Sequence, residues 1–226
     1  MSKVSSPQPT NSLQQACLPT TGREPQAGDL PQRYKFTLEQ YHQLGETGII
    51  NPDIRMELIR GELILMAAKG TPHEVCLTRL NRVLLQAVGQ QALVRVQSPV
   101  IIPPDSEPEP DFTIARLRDD EYLDEHPQGR DAHLLIEVSA SSLYFDRTIK
   151  QALYAEAGAE HYWIFDVSAR LLEAYSAPQL LRPNEKDTDE RFGYGNTQIF
   201  TDADSISIPG LENAQVNLIE CFPPVR

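Results

Sequence analysis

Two carboxylates stand in this chain where apolar neighbours make a carboxylate costly. Asp111 opens the strand-like run DFTIA directly after EPEP, and Glu137 lies inside HLLIEV. Alternation puts Asp111 and Thr113 on one strand face, and His133, Leu135 and Glu137 on one face of the later strand. Successive strands pair or neighbour roughly two-thirds of the time, so the two acids converge if the faces match. Converging carboxylates repel, and in a low-dielectric site they coexist only with a proton, an Arg or Lys, or a divalent cation. Mg2+ suits oxygen ligands of this kind, held by one or two carboxylates and completed by water or substrate phosphate, with Mn2+ as a substitute. A cation there would polarise a phosphoryl oxygen and promote a water nucleophile for in-line attack. Each acid also has a plainer reading, Asp111 as a loop cap after Pro110 and Glu137 as half of a satisfied salt bridge.

The elements that would hold these acids follow from caps, glycines and periodicity. TLEQYHQLGETG reads as a short helix with Thr37 as N-cap, Gln40 at the capping-box position and Gly45 or Gly48 as its stop. RMELIRGELILMAA reads as two strands hinged at Arg60-Gly61. In TPHEVCLTRLNRVLLQAVG, Thr71 is expected to cap a helix with Pro72 at N1, Glu74 completing the capping box and Gly89 ending it. Its apolar stripe is Cys76, Leu80, Val83, Leu84, Ala87 and Val88. ALVRVQSPVII alternates as a half-buried strand. After the Asp111 strand come an acidic connection and the Glu137 strand. FDRTIKQALYAEAG then predicts a helix with Asp146 in its first turn and Gly158 as C-cap, on which Asp146, Lys150 and Tyr154 share an i, i+4, i+8 face. HYWIFD and RLLEAYS read as strands, and TQIF, SISI and VNLIE as short strands near the C-terminus. The order implies a mixed α/β (α+β) domain over residues 34–226, without internal repeat, after a disordered leader over residues 1–33.

EPEPDFTI followed by LLIEVSAS resembles the Pro-Asp … Asp/Glu-x-Lys pattern of the PD-(D/E)XK, restriction-endonuclease-like nucleases. The wider context, MELIRGELILM, TPHE, PDFTI and IEVSASSLYFDRTIKQALYAEAGAEHYWIFD, is similar to one bacterial branch, the Uma2 family of restriction endonucleases. The resemblance implies a restriction-endonuclease-like core, a mixed central β-sheet flanked by helices, with the site at the ends of the Asp111 and Glu137 strands. It implies Asp111 and Glu137 as catalytic metal ligands and the Val138 carbonyl as a backbone ligand. Glu57 and His73 belong to the same pattern, completing the metal shell or contacting phosphate. One position departs, because Ser139 stands where the pattern has Lys. Lys150 is the candidate replacement, since the helix after the Glu137 strand can swing a long side chain back over the strand ends, with Tyr154 beside it. The plainer reading makes Lys150 a solvated i, i+4 partner of Asp146 and places His73 at the surface.

The 226 residues carry a formal charge of -12 and no apolar run of the ~18 residues a membrane helix needs, so a cytoplasmic protein without membrane partners is expected. Cys17, Cys76 and Cys221 are odd in number and lack metal-ligand spacing, which indicates neither a disulfide framework nor a zinc site. Between Asp105 and Asp131 ten acids face only Arg116, Arg118 and Arg130, and EKDTDE adds a cluster at 185–190. Such a surface repels polyanions at long range. Arg79, Arg82, Arg95, Arg147 and Lys150 are a thin set for phosphate contact, so duplex binding by a monomer is expected to be weak and steeply salt-sensitive, and a homodimer is one way to assemble a cleft. Three function classes stand. The first is a Mg2+-dependent endonuclease acting on nucleic acid, with DNA the expected substrate. The second is a catalytically inactive nuclease-fold binding or interaction module, which Ser139 and the acidic surface favour. The third is another carboxylate-pair enzyme such as a glycosidase. On the nuclease reading, Asp111→Asn and Glu137→Gln are expected to abolish cleavage and leave stability equal or improved by relieving repulsion between the two charges.

Overall fold

The computed structural model describes residues 33–51, 53–181 and 191–225. The expected leader up to residue 32, with Cys17, and the acidic cluster at 185–190 lie outside the described residues. The first helix, α1 (Leu38–Glu46), starts where its cap dictates. Thr37 Oγ1 accepts from the Gln40 N–H at 3.2 Å, and the Gln40 side chain accepts from the Thr37 N–H at 3.0 Å. β1 (Met56–Ile59) and β2 (Glu62–Leu65) form a separate antiparallel ribbon that turns at Arg60 and Gly61, with φ of 49° and 75°. A Cβ on Gly61 would meet the Lys35 Cβ at 2.8 Å, a second reason for glycine there. The ribbon is pinned to the Pro-rich corner, where the Glu107 N–H donates to Leu58 O at 2.7 Å and the Gly61 N–H to Asp105 O at 2.8 Å. This seam fixes where Glu57 sits.

α2 (Thr71–Val88) does not start as its sequence implies. Gly70 is the N-cap, Thr71 lies inside the helix, and the expected Thr71–Glu74 capping box is absent; the Glu74 N–H donates to Gly70 O at 3.2 Å. Pro72 lacks an N–H, and the first turn has no use for one at several positions, so proline does not fix the start to one residue. Gly89 ends the helix with φ 54°, and Cys76, Leu80, Val83, Leu84 and Val88 are buried along one stripe with Ala87 at its margin.

β3 (Leu93–Val96), β4 (Phe112–Ala115), β5 (Ala132–Ser139), β6 (His161–Asp166), β7 (Leu171–Leu181) and β8 (Arg191–Thr201) form one six-stranded sheet in chain order. All neighbours run antiparallel except β5 and β6, which are parallel. A parallel pair needs a crossover, supplied by α3 (Leu143–Phe145), a π turn (Asp146–Lys150) and α4 (Gln151–Glu156) in one continuous rod. β3 stops at Val96 instead of running on through SPVII, because Gln97 adopts φ 46°. β9 (Ser205–Ser207) and β10 (Gln215–Asn217) pair apart from the main sheet, and the rest of VNLIE turns into a 3-10 segment.

Both faces of the sheet are covered. α2 packs on Phe112, Ile114, Leu134, Ile136, Trp163 and Phe165, and α4 packs through Leu153 and Tyr154 on Leu135, Tyr162 and Ile164. Burying each such side chain contributes about 1.5–3 kcal/mol. The result is the expected mixed central sheet flanked by helices. Among the described residues no helix is long and apolar enough to cross a membrane.

Candidate active site

β4 and β5 run antiparallel with Phe112 opposite Ile136 and Thr113 opposite Leu135. Extending that register by one residue sets Asp111 opposite Glu137, on one face of the sheet. Both acids line a cavity of about 60 Å³ together with Glu57, His73, Val138, Asp146 and Lys150. Among the described residues no strand lies beside the edge of β5 beyond the end of β4, and the Val138 N–H donates to Asp111 Oδ2 at 2.9 Å. The N–H and C=O of one strand residue point to the same edge, so the Val138 carbonyl lies on the Asp111 side as well.

Asp111 is buried yet fully engaged. Besides Val138 it accepts from His73 Nε2 at 3.1 Å, Lys69 Nζ at 3.0 Å and Gln97 Nε2 at 3.1 Å. Burial pushes its pKa up, but the His73 hydrogen bond, the Lys69 charge and the Val138 N–H outweigh that and hold it at about 2. An ionised carboxylate only accepts, so His73 presents a proton on Nε2. His73 is itself buried, not on the surface, and its Nδ1 has no hydrogen-bond partner. Asp111→Asn would leave Lys69, His73 and the Val138 N–H without the charge they share, which argues against the expectation of equal or improved stability.

Glu137 meets a different environment. Lys150 Nζ and the Tyr154 hydroxyl both donate to its Oε1 at 2.8 Å. Lys150 also stands 3.2 Å from Glu57 Oε1 and 3.1 Å from Oε2, although the buried Oε2 makes only this ion pair and no aligned hydrogen bond. Two carboxylates thus share one ammonium. Burial raises the Glu137 pKa to about 8 against the pull of Lys150, and Asp146, Asp111 and Glu57 push the same way as burial. Lys150 is raised above its ordinary value, its desolvation outweighed by Glu137, Glu57 and Asp146. At 1% exposure Lys150 is no solvated partner of Asp146; the plainer reading of Glu137 as an ion-paired acid does describe its contact.

The π turn explains how the rod reaches both strand ends. Asp146 accepts from the hydroxyls of Ser139 and Ser142, each at 2.6 Å, while Lys150 and Tyr154 turn to Glu137. The wider turn separates Asp146 from the Lys150–Tyr154 pair, which an unbroken α-helical face would have held in line. Ser139, at the motif position of Lys, is thereby a hydrogen-bond donor to a buried acid whose pKa is raised by burial.

The cavity lining has an unbalanced charge. Glu57, Glu109, Asp111, Glu137 and Asp146 face Arg55, Lys69 and Lys150, so five carboxylates meet three cations. Four of the basic residues expected to reach phosphate are engaged or distant. Arg79 donates to Ile219 O, Arg95 to His126, and Arg147 clamps Glu173, while Arg82 lies on α2 outside the cavity lining.

A model of the Uma2 family, described as "Putative restriction endonuclease", matches residues 38–211. The chain belongs to the Uma2 family. Its fold is also similar to a solved structure, "a putative nuclease belonging to DUF820 from Anabaena variabilis ATCC 29413", with a TM-score of 0.57 and 15% identity over 83% of this chain and 97% of that one. No curated protein matches the sequence.

In this Uma2 chain the structure brings together the residues expected for the catalytic and metal site, namely Asp111, Glu137, Val138, Lys150, Glu57, His73, Ser139 and Tyr154, but not Arg79, Arg82, Arg95 and Arg147. Sequence reasoning missed Lys69, Gln97, Arg55 and Glu109. Lys69 and Arg55 lie in connections without periodicity, and Gln97 is placed by its left-handed backbone. Among the described residues no three His, Cys, Asp or Glu side chains form a ready-made metal cage. What fits a hard cation is the excess of carboxylates lining the cavity and the Glu57 Oε2 that makes no hydrogen bond.

Proposed function

We propose that this Uma2 protein is a divalent-metal-dependent endonuclease that hydrolyses phosphodiester bonds of nucleic acid, DNA in the first place. The observation that carries the reading is the cavity at the paired ends of β4 and β5, where buried carboxylates outnumber cations. Asp111, Glu137 and the Val138 carbonyl would hold Mg2+ or Mn2+, with Glu57 beside them. When bound, such a cation supplies Lewis acidity to a phosphoryl oxygen and lowers the pKa of water. The chain's own groups do the rest. Lys150 and Tyr154 orient Glu137, His73 and Gln97 orient Asp111, and the apolar walls behind them exclude bulk water.

A second reading, a catalytically inactive binding module, is favoured by Ser139, which replaces the motif Lys and is tied to Asp146. The test is cleavage of supercoiled plasmid, single-stranded DNA and RNA with Mg2+ or Mn2+, and again in EDTA. The endonuclease reading expects metal-dependent nicking that EDTA stops and that Asp111→Asn and Glu137→Gln abolish. Binding without cleavage at high protein and saturating Mn2+ selects the inactive module. Hydrolysis of a glycoside in EDTA would bring back the carboxylate-pair glycosidase.

A further inference from the structure

Two lysines serve the two central acids, and their surroundings differ. Lys150 is 1% exposed, wedged between Glu57 and Glu137 and beside Tyr154. Moving it would strand two buried carboxylates. Lys69 stands in the connection between β2 and α2, its side chain 14% exposed, and makes one ion pair, to Asp111 Oδ1. It lines the same cavity. Asp111 keeps three other donors, His73, Gln97 and the Val138 N–H, so it does not depend on Lys69 for its place. An ammonium held to a carboxylate by a single ion pair is in competition with any cation for that carboxylate.

We propose that Lys69 is a displaceable counterion: it neutralises Asp111 in the metal-free protein, yields that carboxylate to an arriving divalent cation, and turns its ammonium toward the phosphate side of the cavity. The inference rests on the metal site of the proposed function. It assigns Lys69, not Lys150, as the cation that reaches substrate, and leaves Lys150 as a positioning residue for Glu137. The connection it stands on permits the movement. Ala67, Ala68 and Gly70 beside it are exposed.

The experiment is a calorimetric titration of Mn2+ into the full chain, comparing wild type with Lys69→Met, Lys69→Arg and the double variant Lys69→Met with Asp111→Asn. Loss of a competing charge should tighten Mn2+ binding by Lys69→Met on the order of tenfold, Lys69→Arg should stay near wild type, and Asp111→Asn should abolish the gain when combined with Lys69→Met. A lysine whose charge took no part in the site would weaken metal binding or leave it alone when lost, and one that competes for the metal without moving onto substrate would tighten binding and keep turnover. Unchanged or weaker binding by Lys69→Met, with wild type binding normally, overturns the inference and leaves the metal site standing. No binding by any of the four proteins overturns the metal site and the inference with it. Binding by Lys69→Met alone supports the inference, since the counterion then blocks the wild-type site. Where the wild type cleaves, Lys69→Met should lose turnover despite its tighter metal, and Lys69→Arg should restore part of it.

Discussion

At Lys150 the ammonium faces two carboxylates in a space that solvent barely reaches, so its removal and theirs are not equivalent changes. Lys150→Met keeps the volume and strands Glu57 and Glu137 as buried, unpaired acids. Breaking a buried pair from one side costs about 3–5 kcal/mol, which for a chain of this size lowers Tm by on the order of 10 °C. Adding Glu137→Gln to Lys150→Met should recover part of that loss, because a buried amide needs no cation beside it. Thermal melts of the single and double variants check this; a double variant no more stable than Lys150→Met would show that the charges are not what Lys150 balances. Asp111→Asn behaves differently. It removes an acceptor that Lys69, His73, Gln97 and Val138 all use, and leaves two donors facing an amide. The pKa of about 2 against 3.8 corresponds to about 2 kcal/mol lost at neutral pH, read as a lower denaturation midpoint than wild type. An unchanged midpoint would mean that the four donors find water instead.

The rod of α3, π turn and α4 shows what an element adds that its residues do not reveal singly. Arg147, Thr148 and Ile149 are its exposed residues across the π turn, while Asp146 and Lys150 at its two ends are buried. Deleting Thr148 should convert the wide turn to α-helix and rotate one end of the rod by about 100° against the other. Either Asp146 leaves Ser139 and Ser142, or Lys150 leaves Glu137, so a buried charge loses its partner. The expected cost is about 3–5 kcal/mol, whereas Thr148→Ala in the same exposed place should cost well under 1 kcal/mol. Equal melting of the deletion and the substitution would deny the π turn this function. The turn was not legible in FDRTIKQALYAEAG, which reads as uninterrupted helix because local propensity says nothing about which buried hydroxyls await each end. Half-buried strands were legible by alternation, and the meeting of Asp111 with Glu137 needed strand adjacency and matching faces, which the register supplies. β8 was legible only as TQIF, since Gly193, Gly195 and its long unburied stretch erase the period that packing would impose. Lys69 could not be read at all, because a lysine in an aperiodic connection looks solvated until the fold closes over it.

Taken as one molecule, the protein folds around more negative charge than it neutralises, and pH should expose where that charge lies. Glu137 has a folded pKa of about 8 against an ordinary 4.5, so the folded metal-free protein holds a proton there that the unfolded chain has lost. Its contribution to stability is full below about 4.5 and is lost as pH rises through 8. Asp111, at about 2 against 3.8, contributes above 3.8 and loses that contribution as pH falls toward 2. The metal-free protein should therefore melt highest between these windows, near pH 4–5, and progressively lower toward pH 8. On the proposed metal site, a divalent cation and the Glu137 proton would compete for one carboxylate, so metal affinity should fall by up to about tenfold per pH unit below 8. Ca2+ at about a hundred times its dissociation constant stabilises a folded protein by about 2.7 kcal/mol, or on the order of 5–10 °C here. That gain should be largest near pH 8, shrink toward about pH 6, and lose its pH dependence in Glu137→Gln. Melting curves with and without Ca2+ across this range decide the matter, and a gain of equal size at both ends would mean that the ion binds somewhere other than Glu137.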